Sequence, residues 1–450
     1  MKHSTRLSIR KQIQSFKHAF FQTGESPFAN LLPHSLLEEI RQCGSDRDTV
    51  FTPLVTLKAF LWQVLSPSGS CKGAVAHVLT DRLSFDHPAN SMNTGPYCKA
   101  RQRLSLPHLK AAVSSSGEAL HKQASSSWLW KGFRVLLVDG TTLLMPDTED
   151  NQTHYPQQSV QKKGLGFPIM RMVGLLSLAT GSCVQYVTGA YQGKGSGETS
   201  LFSQLIGSMG KNDLLLADRY YTTFAIMARL IQQGTPLVFR QRENVKSDFR
   251  RGKKLASKDH IISCDKSKRK PIWMTKEAYD ELPDQIEIRE FSVNGIVYVT
   301  TLLDAKIYHK KELAKLYQKR WKIELDFRSI KTQMGMEMLR CQSADMVEKE
   351  VAVHLLAYNL IRSNMANAAS MNGVKPRQIS FMAAVDLMRS IVGITATLTS
   401  KTLKKWVEPM LKAIAYTKIG GRKRRGQPRV IKRRPKACPW MTKPRAEYAK

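Results

Sequence analysis

Apolar residues recur at helical spacing through the first quarter of the chain. One such run begins at Thr52-Pro53 and reaches Leu65, a second spans 73–79, and a third begins at Leu106-Pro107 and extends to about residue 121. Proline at the first helical position is a typical start signal, because no backbone donor is needed there. The pattern therefore predicts a helical N-terminal region, for which DNA binding and oligomerisation are both plausible roles.

Between residues 128 and 242 the pattern changes to short, wholly apolar runs. Residues 135–138 lead into Asp139-Gly140, and residues 214–217 lead into Asp218. Runs of this length and composition are typical of strands buried on both faces. The remaining pattern predicts, in chain order, a hairpin over 170–179 and 182–191, a helix over 198–209, a helix from Thr222 to Gln233, and a strand over 236–240. Together these elements predict a mixed α/β core.

The rest of the chain is first polar, then β-like, then helical. Residues 246–270 hold ten Lys and Arg against three Asp and predict a long loop. Residues 286–291 and 295–303 predict strands. Residues 308–334 predict one long helix, and further helices follow to about residue 415.

Charge narrows the class of partner. The 450 residues include 70 Lys and Arg against 36 Asp and Glu, a net charge of +34. Such an excess repels itself in a compact body unless a polyanion accompanies it, and nucleic acid is the natural candidate. A membrane surface is less favoured, since no basic amphipathic helix stands out and no apolar run approaches the roughly 20 residues of a membrane span.

The C-terminal 50 residues carry the densest positive charge, 17 Lys and Arg against two Glu. Gly and Pro interrupt its core, residues 421–436, which predicts a phosphate-contacting arm; a merely solvated tail is the alternative. Seven scattered Cys without a CxxC pair indicate neither a disulfide framework nor a zinc site. Residues 1–17 lack the apolar segment of a secretory signal, so we expect a cytoplasmic protein.

Two predicted strands end in an aspartate, Asp139 and Asp218. The carboxyl edge of an α/β sheet is where such folds place their sites, although a lone Asp is more often a turn former or helix cap. The helix 313–331 adds a third acid. At 100° per residue, one arc of about 60° holds the side chains Tyr317, Arg320, Glu324 and Lys331, whereas Asp326 faces away.

This arc combines phosphate-binding groups with a carboxylate. Arg binds phosphate as a bidentate fork, Lys as a point charge and Tyr through one hydrogen bond. Carboxylate oxygens suit a hard divalent cation. Three carboxylates from two strands and a helix are compatible with a site for two Mg²⁺ ions about 3.5–4 Å apart, the arrangement used for phosphoryl transfer.

At these residues the chain resembles the bacterial DDE transposases of insertion sequences, in the group with a Y-(2)-R-(3)-E-(6)-K signature (the insertion sequence 4 family). The signature corresponds to Tyr317, Arg320, Glu324 and Lys331, with every spacing matched, and Asp139 and Asp218 resemble the first two acids. The resemblance extends from about residue 95 to the basic tail. It implies an RNase H-like core that a β-rich insertion interrupts before the last acid.

The boundaries that follow are 1–127 for a helical N-terminal DNA-binding region, 128–242 and 306–370 for the two parts of the core, 243–305 for the insertion, and 371–450 for a helical and basic C-terminal region. The resemblance also implies a metal-dependent enzyme that cuts double-stranded DNA at transposon ends and joins the ends to target DNA. Members act as a synaptic dimer, and some pass through a DNA hairpin. A cytoplasmic, nucleoid-associated bacterial protein would fit this role.

The resemblance assigns roles residue by residue. Asp139, Asp218 and Glu324 are the expected catalytic and metal-binding acids, with two Mg²⁺ as cofactor and Mn²⁺ as a possible substitute. The resemblance assigns contacts with DNA to Tyr317, Arg320 and Lys331. We expect further contacts from Trp321, which stands beside Arg320, and from Arg219. For Trp321, stacking on a displaced base competes with packing in the core. A nuclease without strand transfer and a catalytically silent DNA-binding descendant remain alternatives; three intact acids argue against the latter.

Overall fold

A computed structural model describes residues 31–43, 50–83, 88, 90–395, 400–419, 441–444 and 447–448. The basic segment 421–436 lies outside the described residues, so the phosphate-contacting arm stays a prediction there. Residues 1–17, for which the sequence predicts no secretory signal, also lie outside the described residues. Within the described ranges, no helix is both long and apolar enough to cross a membrane.

Five helices form the N-terminal part of the described chain. They are α1 (His34–Gln42), α2 (Pro53–Leu65), α3 (Cys71–Leu83), α4 (Gly95–Arg103) and α5 (Leu106–Lys122). The predicted starts are confirmed: the Thr52 hydroxyl accepts a hydrogen bond from the Val55 backbone N–H, and the Ser105 hydroxyl accepts one from that of His108. Each cap satisfies a donor that has no partner inside its helix.

In the described part of the chain, nine strands form one mixed sheet. They are β1 (Arg134–Leu144), β2 (Ile169–Ser177), β3 (Cys183–Ala190), β4 (Asp213–Ala217), β5 (Leu237–Arg240), β6 (Lys253–Ala256), β7 (Asp259–Asp265), β8 (Gln285–Val293) and β9 (Ile296–Thr300). The order is β3-β2-β1-β4-β5-β9-β8-β7-β6. Strand β1 runs antiparallel to β2 and parallel to β4, and β4 runs parallel to β5. The first five strands have the order of an RNase H-like core, which confirms the predicted fold class.

Both faces of the core strands are covered. Val135 and Leu137 of β1 pack in one apolar core, and Leu136 and Val138 pack in the other. A strand buried on both faces has no polar alternation, which explains the wholly apolar runs.

Helices from several parts of the chain supply this cover. Helices α5 and α12 (Ala344–Met371) lie against the first face. The short helix α6 (Glu149–His154) follows β1 in the chain. Residues of α7 (Glu198–Ser203), α8 (Phe224–Gln232) and α9 (Lys276–Asp280) pack in the core on the second face. The sheet is therefore the middle layer of three.

The insertion continues the core sheet. Strand β9 pairs with β5, and β8, β7 and β6 follow outward. The prediction of a long loop over 246–270 is wrong, because that segment contains the β6–β7 hairpin. Strand β6 is the outer edge of the sheet, where Lys253 and Lys254 are exposed. A charged edge strand lacks the apolar pattern of a buried one and is therefore hard to detect from sequence.

The predicted long helix over 308–334 follows a helical path whose period changes. It comprises α10 (Lys310–Tyr317), a 3₁₀ segment (Gln318–Trp321), α11 (Lys322–Arg328) and a π-helical segment (Ser329–Gln333). π-Helical turns occur frequently at functional sites. The C-terminal helices are α12, α13 (Phe381–Thr395) and α14 (Ser400–Tyr416), as predicted.

The cap of α8 differs from the prediction by one residue. The Thr223 hydroxyl accepts a hydrogen bond from the Ile226 backbone N–H and caps the helix. The predicted cap, Thr222, instead donates its hydroxyl to the Arg240 carbonyl at 2.8 Å. That bond ties the 3₁₀ turn after β4 to the end of β5 and leaves the capping role to the next residue.

Candidate active site

Asp139 lies inside a strand, two residues beyond the point where its parallel neighbour stops pairing. The pairing of β1 with β4 ends at Leu137 and Leu216, whereas its pairing with β2 continues to Leu144. The prediction that Asp139-Gly140 ends the strand is therefore wrong, because β2 supplies hydrogen-bond partners along the whole length. Asp139 still lies at the carboxyl edge of the parallel pair, where the site is expected.

Asp218 follows the last residue of β4 directly. Its Oδ1 accepts a hydrogen bond from the Tyr220 backbone N–H at 2.7 Å and starts a 3₁₀ turn over Arg219–Tyr221. Asp218 is half-buried, so one carboxylate oxygen serves the turn while the side chain remains at the sheet edge. The capping role and the position in the site therefore coexist.

Arg320 joins the first strand acid to the helix acid. Its Nη1 lies 3.4 Å from Asp139 Oδ2, and its Nη2 donates to Glu324 Oε1 at 3.0 Å. Helix α11 packs against β1, which brings Glu324 to the edge that carries Asp139. The structure thus brings two of the three predicted acids together through one guanidinium.

The surroundings of the Asp139 carboxyl group raise its pKa. Burial raises its pKa to about 6, and the charges of Asp218 and Glu198 add to the rise. The Gly140 backbone N–H, which donates to Asp139 Oδ1 at 2.9 Å, and the Arg320 guanidinium oppose it. Like-charged neighbours of this kind identify a cluster of carboxylates, and a cation that neutralises them is favoured there.

The other predicted DNA-binding residues lie in different environments. Tyr317 packs edge-on against Tyr298, with ring centroids 5.2 Å apart. Burial raises the pKa of its phenol to about 12; the Arg320 charge opposes this rise, and the Asp218 charge adds to it. Lys331 lies in the π-helical segment, and within the described part of the chain its side chain forms no hydrogen bond or ion pair. Because a π-helix has a different period from an α-helix, the 100° spacing that placed Lys331 on the same face as Glu324 does not extend to Lys331.

Trp321 and Arg219 are both on the surface. The Trp321 side chain is 57% exposed, so the alternative that it packs in the core is wrong. Arg219 is exposed and forms an ion pair with Glu243. Both side chains are therefore accessible from solvent.

Sequence reasoning missed three residues of the site. Arg171 on β2 and Glu198 at the start of α7 line a cleft of about 600 Å³ together with Asp218 and Arg219. Tyr221 is completely buried beneath the same acids. Glu198 lies at the start of a predicted helix, but only the position of α7 on the sheet shows that this residue faces the acids.

Asp326 anchors the helix that carries Glu324 from the opposite side, in agreement with its predicted orientation away from Glu324. It is 1% exposed and accepts hydrogen bonds from Arg362 at 2.7 Å and from Arg377 at 2.8 and 3.0 Å. Arg377 also donates to the carbonyls of Ser177 and Leu178 at the end of β2. The network ties α11 to α12 and to the sheet.

The donor set suits Mg²⁺, but its side chains must rearrange to bind an ion. Across the described ranges, no group of three or more His, Cys, Asp or Glu side chains converges closely enough to hold a metal. Arg320 lies between Asp139 and Glu324 instead. Carboxylate oxygens are the hard ligands that Mg²⁺ prefers, so the chemistry of the residues present fits the cation.

Comparison with known proteins gives the family. The model of the family "Transposase DDE domain" matches residues 130–360, a stretch that includes all three predicted acids. The Escherichia coli (strain K12) protein named transposase InsG for insertion sequence element IS4 is 25% identical over 429 residues, which cover 93% of this chain and 95% of that protein. Putative transposase InsZ of the same strain is 24% identical over 155 residues, 34% of this chain and 51% of that protein.

A solved structure, the cryo-EM structure of a piggyBac transposase synaptic complex with hairpin DNA, matches 89% of this chain and 85% of its own, at 10% identity and a TM-score of 0.41. The assignment rests on the sequence comparisons, in which the family model spans more than half of the chain. They confirm the resemblance carried by the signature spacing: the chain belongs to the family of DDE transposases.

Proposed function

We propose that this transposase cleaves DNA at the terminal inverted repeats of an insertion sequence and joins the ends to target DNA, with Asp139, Asp218 and Glu324 as its metal-binding carboxylates. The observation that carries the proposal is that Arg320 links the strand acid Asp139 to the helix acid Glu324, while the charge of Asp218 acts on Asp139. The similarity to a transposase of an insertion sequence over nearly the whole chain supports this choice of substrate.

Bound Mg²⁺ or Mn²⁺ would supply Lewis-acid stabilisation of the charge that develops on the attacking and leaving oxygens. The residues of the chain bind and orient the DNA. Arg320, within reach of Asp139 and Glu324, exchanges those carboxylates for a phosphate near the cleaved bond, since a guanidinium pairs with either anion in the same fork geometry. That exchange leaves both carboxylates to the cation.

The remaining contacts follow from position and exposure. Tyr317 donates its hydroxyl to a phosphate, and Lys331, which has no described partner, adds a point charge. Exposed Trp321 stacks on a base displaced at the transposon end. Arg219 contacts the backbone beside Asp218. Residues 1–127 bind the terminal repeat, and two copies of the chain hold the paired ends.

The proposal is tested by replacing each acid with its amide: Asp139→Asn, Asp218→Asn and Glu324→Gln. Each variant should lose Mg²⁺-dependent cleavage of a matched terminal-repeat duplex while its DNA affinity in EDTA stays near that of the parent. A Glu243→Gln variant is the control, because Glu243 lines the same cleft and pairs with Arg219. Normal cleavage by any one of the three acid variants would overturn the assignment of that acid.

One product separates the transposase from a nuclease. If the parent protein joins donor 3′ ends covalently to a target plasmid, strand transfer is established. Cleaved ends without joined product under the same conditions would favour the nuclease. Specific binding with neither product would favour a silent DNA-binding protein.

A further inference from the structure

We propose that Glu198 is a fourth carboxylate of this active site and binds a divalent cation together with Asp139 and Asp218. The inference rests on the proposed function, since it concerns the same cation. It adds a ligand from a different element: Glu198 is the first residue of α7, the helix that follows β3 and packs against β2 and β3.

The first observation is a close approach to the strand that carries Asp139. The Glu198 carboxyl group lies over Gly140, where a Cβ atom would stand 2.5 Å from its Cδ and 2.6 Å from its Oε1. A side chain at position 140 would displace the carboxylate from this place. Glu198 therefore reaches the residue next to Asp139, and its charge interacts with those of Asp139 and Asp218.

The second observation is a buried hydroxyl that has no partner. Tyr221 is fully buried, and among the described residues its hydroxyl forms no hydrogen bond. The same group interacts electrostatically with Glu198, Asp139 and Asp218. Buried polar groups nearly always have a partner, so an unpaired hydroxyl close to three carboxylates marks a polar site that its own residues leave unsatisfied.

Glu198 is also free to serve as a ligand. In the described part of the chain its carboxylate forms no hydrogen bond and no ion pair within 4.0 Å. The nearby Arg171 is attracted to it, but Arg171 Nη1 donates to the Ser196 carbonyl at 2.7 Å and its guanidinium lies 4.7 Å from the centre of the Tyr191 ring. A carboxylate without a tight partner beside two others retains its oxygens for a cation.

The test measures binding of Mn²⁺ to the full-length, metal-free protein by electron paramagnetic resonance, without DNA and without turnover. Glu198→Gln should raise the Kd for Mn²⁺ by about tenfold or more, in the range found when metal-site residues are replaced. Glu243→Gln, which changes another carboxylate of the same cleft, should leave the Kd unchanged. An unchanged Kd in folded Glu198→Gln overturns the inference.

A second variant protects the test against a failure to fold. Gly140→Ala retains all four carboxylates but displaces that of Glu198, so it should also weaken Mn²⁺ binding. An unchanged Kd in this variant counts against the inference as well. Circular dichroism of each variant verifies that the fold is intact.

Asp218→Asn in the same titration separates this inference from the proposed function. If Asp218→Asn weakens Mn²⁺ binding and Glu198→Gln does not, only the role of Glu198 is refuted. If neither substitution changes the Kd, the carboxylate site itself is refuted. If both weaken binding, the four-carboxylate site is supported.

Discussion

At the scale of single residues, the guanidinium of Arg320 has two anionic partners from different elements. It is 18% exposed and contacts Asp139 and Glu324, which are 21% and 35% exposed. Without Arg320, two carboxylates would face each other at a partly buried edge, where like charges repel strongly. Arg320 therefore reduces this repulsion, and under the proposed function it competes with a divalent cation for the same oxygens.

Replacing Arg320 should separate these two effects. Arg320→Gln frees both carboxylates, so the Kd of the DNA-free protein for Mn²⁺ should fall. Cleavage of transposon ends should drop by about 100-fold or more, since the variant lacks a positioned cationic group on the transferring phosphoryl. Calorimetric titration and a cleavage gel measure the two quantities. Weaker binding of Mn²⁺ by the variant would contradict the competition.

The raised pKa of Asp139 has a consequence for stability. Its folded pKa of about 6 lies above the ordinary value of 3.8, so folding favours the protonated form. The stabilisation is complete below about pH 3.8 and disappears as the pH rises through 6. A shift of this size corresponds to about 3 kcal/mol.

Asp139→Asn should therefore stabilise the metal-free protein at neutral pH. In EDTA at pH 7.5 its free energy of unfolding should exceed that of the parent by up to about 3 kcal/mol, and the difference should shrink toward pH 5. Urea denaturation at the two pH values measures it. A variant less stable than the parent at pH 7.5 would show that the ion pair with Arg320 outweighs the burial of the charge.

At the scale of elements, the position of α11 depends on a buried ion-pair network on the side away from the acids. Asp326 accepts from both Arg362 and Arg377. Arg362 also donates to the Tyr358 hydroxyl, which in turn donates to the Gly181 carbonyl in the β2–β3 turn. The helix that carries Glu324 is therefore tied to the sheet through charges rather than through apolar contact alone.

Removing Asp326 leaves the buried Arg362 guanidinium and the partly buried Arg377 guanidinium without their carboxylate. Asp326→Ala should lower the free energy of unfolding by about 3–5 kcal/mol, the usual cost of breaking a buried pair from one side. Asp386→Ala is the matched control, since Asp386 is exposed, lies 4.0 Å from Arg389 and should contribute less than about 1 kcal/mol. Equal destabilisation in both variants would show that the buried network has no special role.

At the scale of the whole molecule, the net charge of +34 favours binding to the phosphates of DNA. Contacts between basic side chains and phosphates release counterions, so affinity depends on salt. With six or more phosphate contacts, the logarithm of the association constant should fall against the logarithm of salt concentration with a slope of about −5 or steeper. Fluorescence anisotropy over a salt series measures it, and a nearly flat line would remove phosphate binding as the role of the charge.

The salt dependence of DNA affinity also tests whether the exposed edge strand β6 contacts phosphates. Exchanging both Lys253 and Lys254 for Gln should make the slope shallower by about one for each lysine that binds a phosphate. The same exchange for Arg preserves the charge and should leave the slope unchanged. Equal slopes for the Gln variant and the parent would show that neither lysine contacts a phosphate.

Local sequence was sufficient for the elements that local chemistry governs. The strand before Asp218 is visible because every residue from 214 to 217 is apolar, as burial on both faces demands. The helix starts predicted at Thr52-Pro53 and Leu106-Pro107 follow from proline in the first turn. The spacing from Tyr317 to Glu324 corresponds to two turns of a regular α-helix, so local geometry is enough to predict that these side chains share a face.

Other features were decided by tertiary structure, because they depend on residues that are far apart in sequence. Asp139-Gly140 has the composition of a turn and becomes mid-strand because β2 pairs past it. Trp321 is exposed because no described element covers it. Glu198 meets Gly140 across 58 positions, a contact that exists only once α7 packs on the sheet. The sequence alone was sufficient to select the three acids, because their positions follow from local patterns. The packing of strands and helices decided which further residues lie beside them, because those contacts join distant parts of the chain.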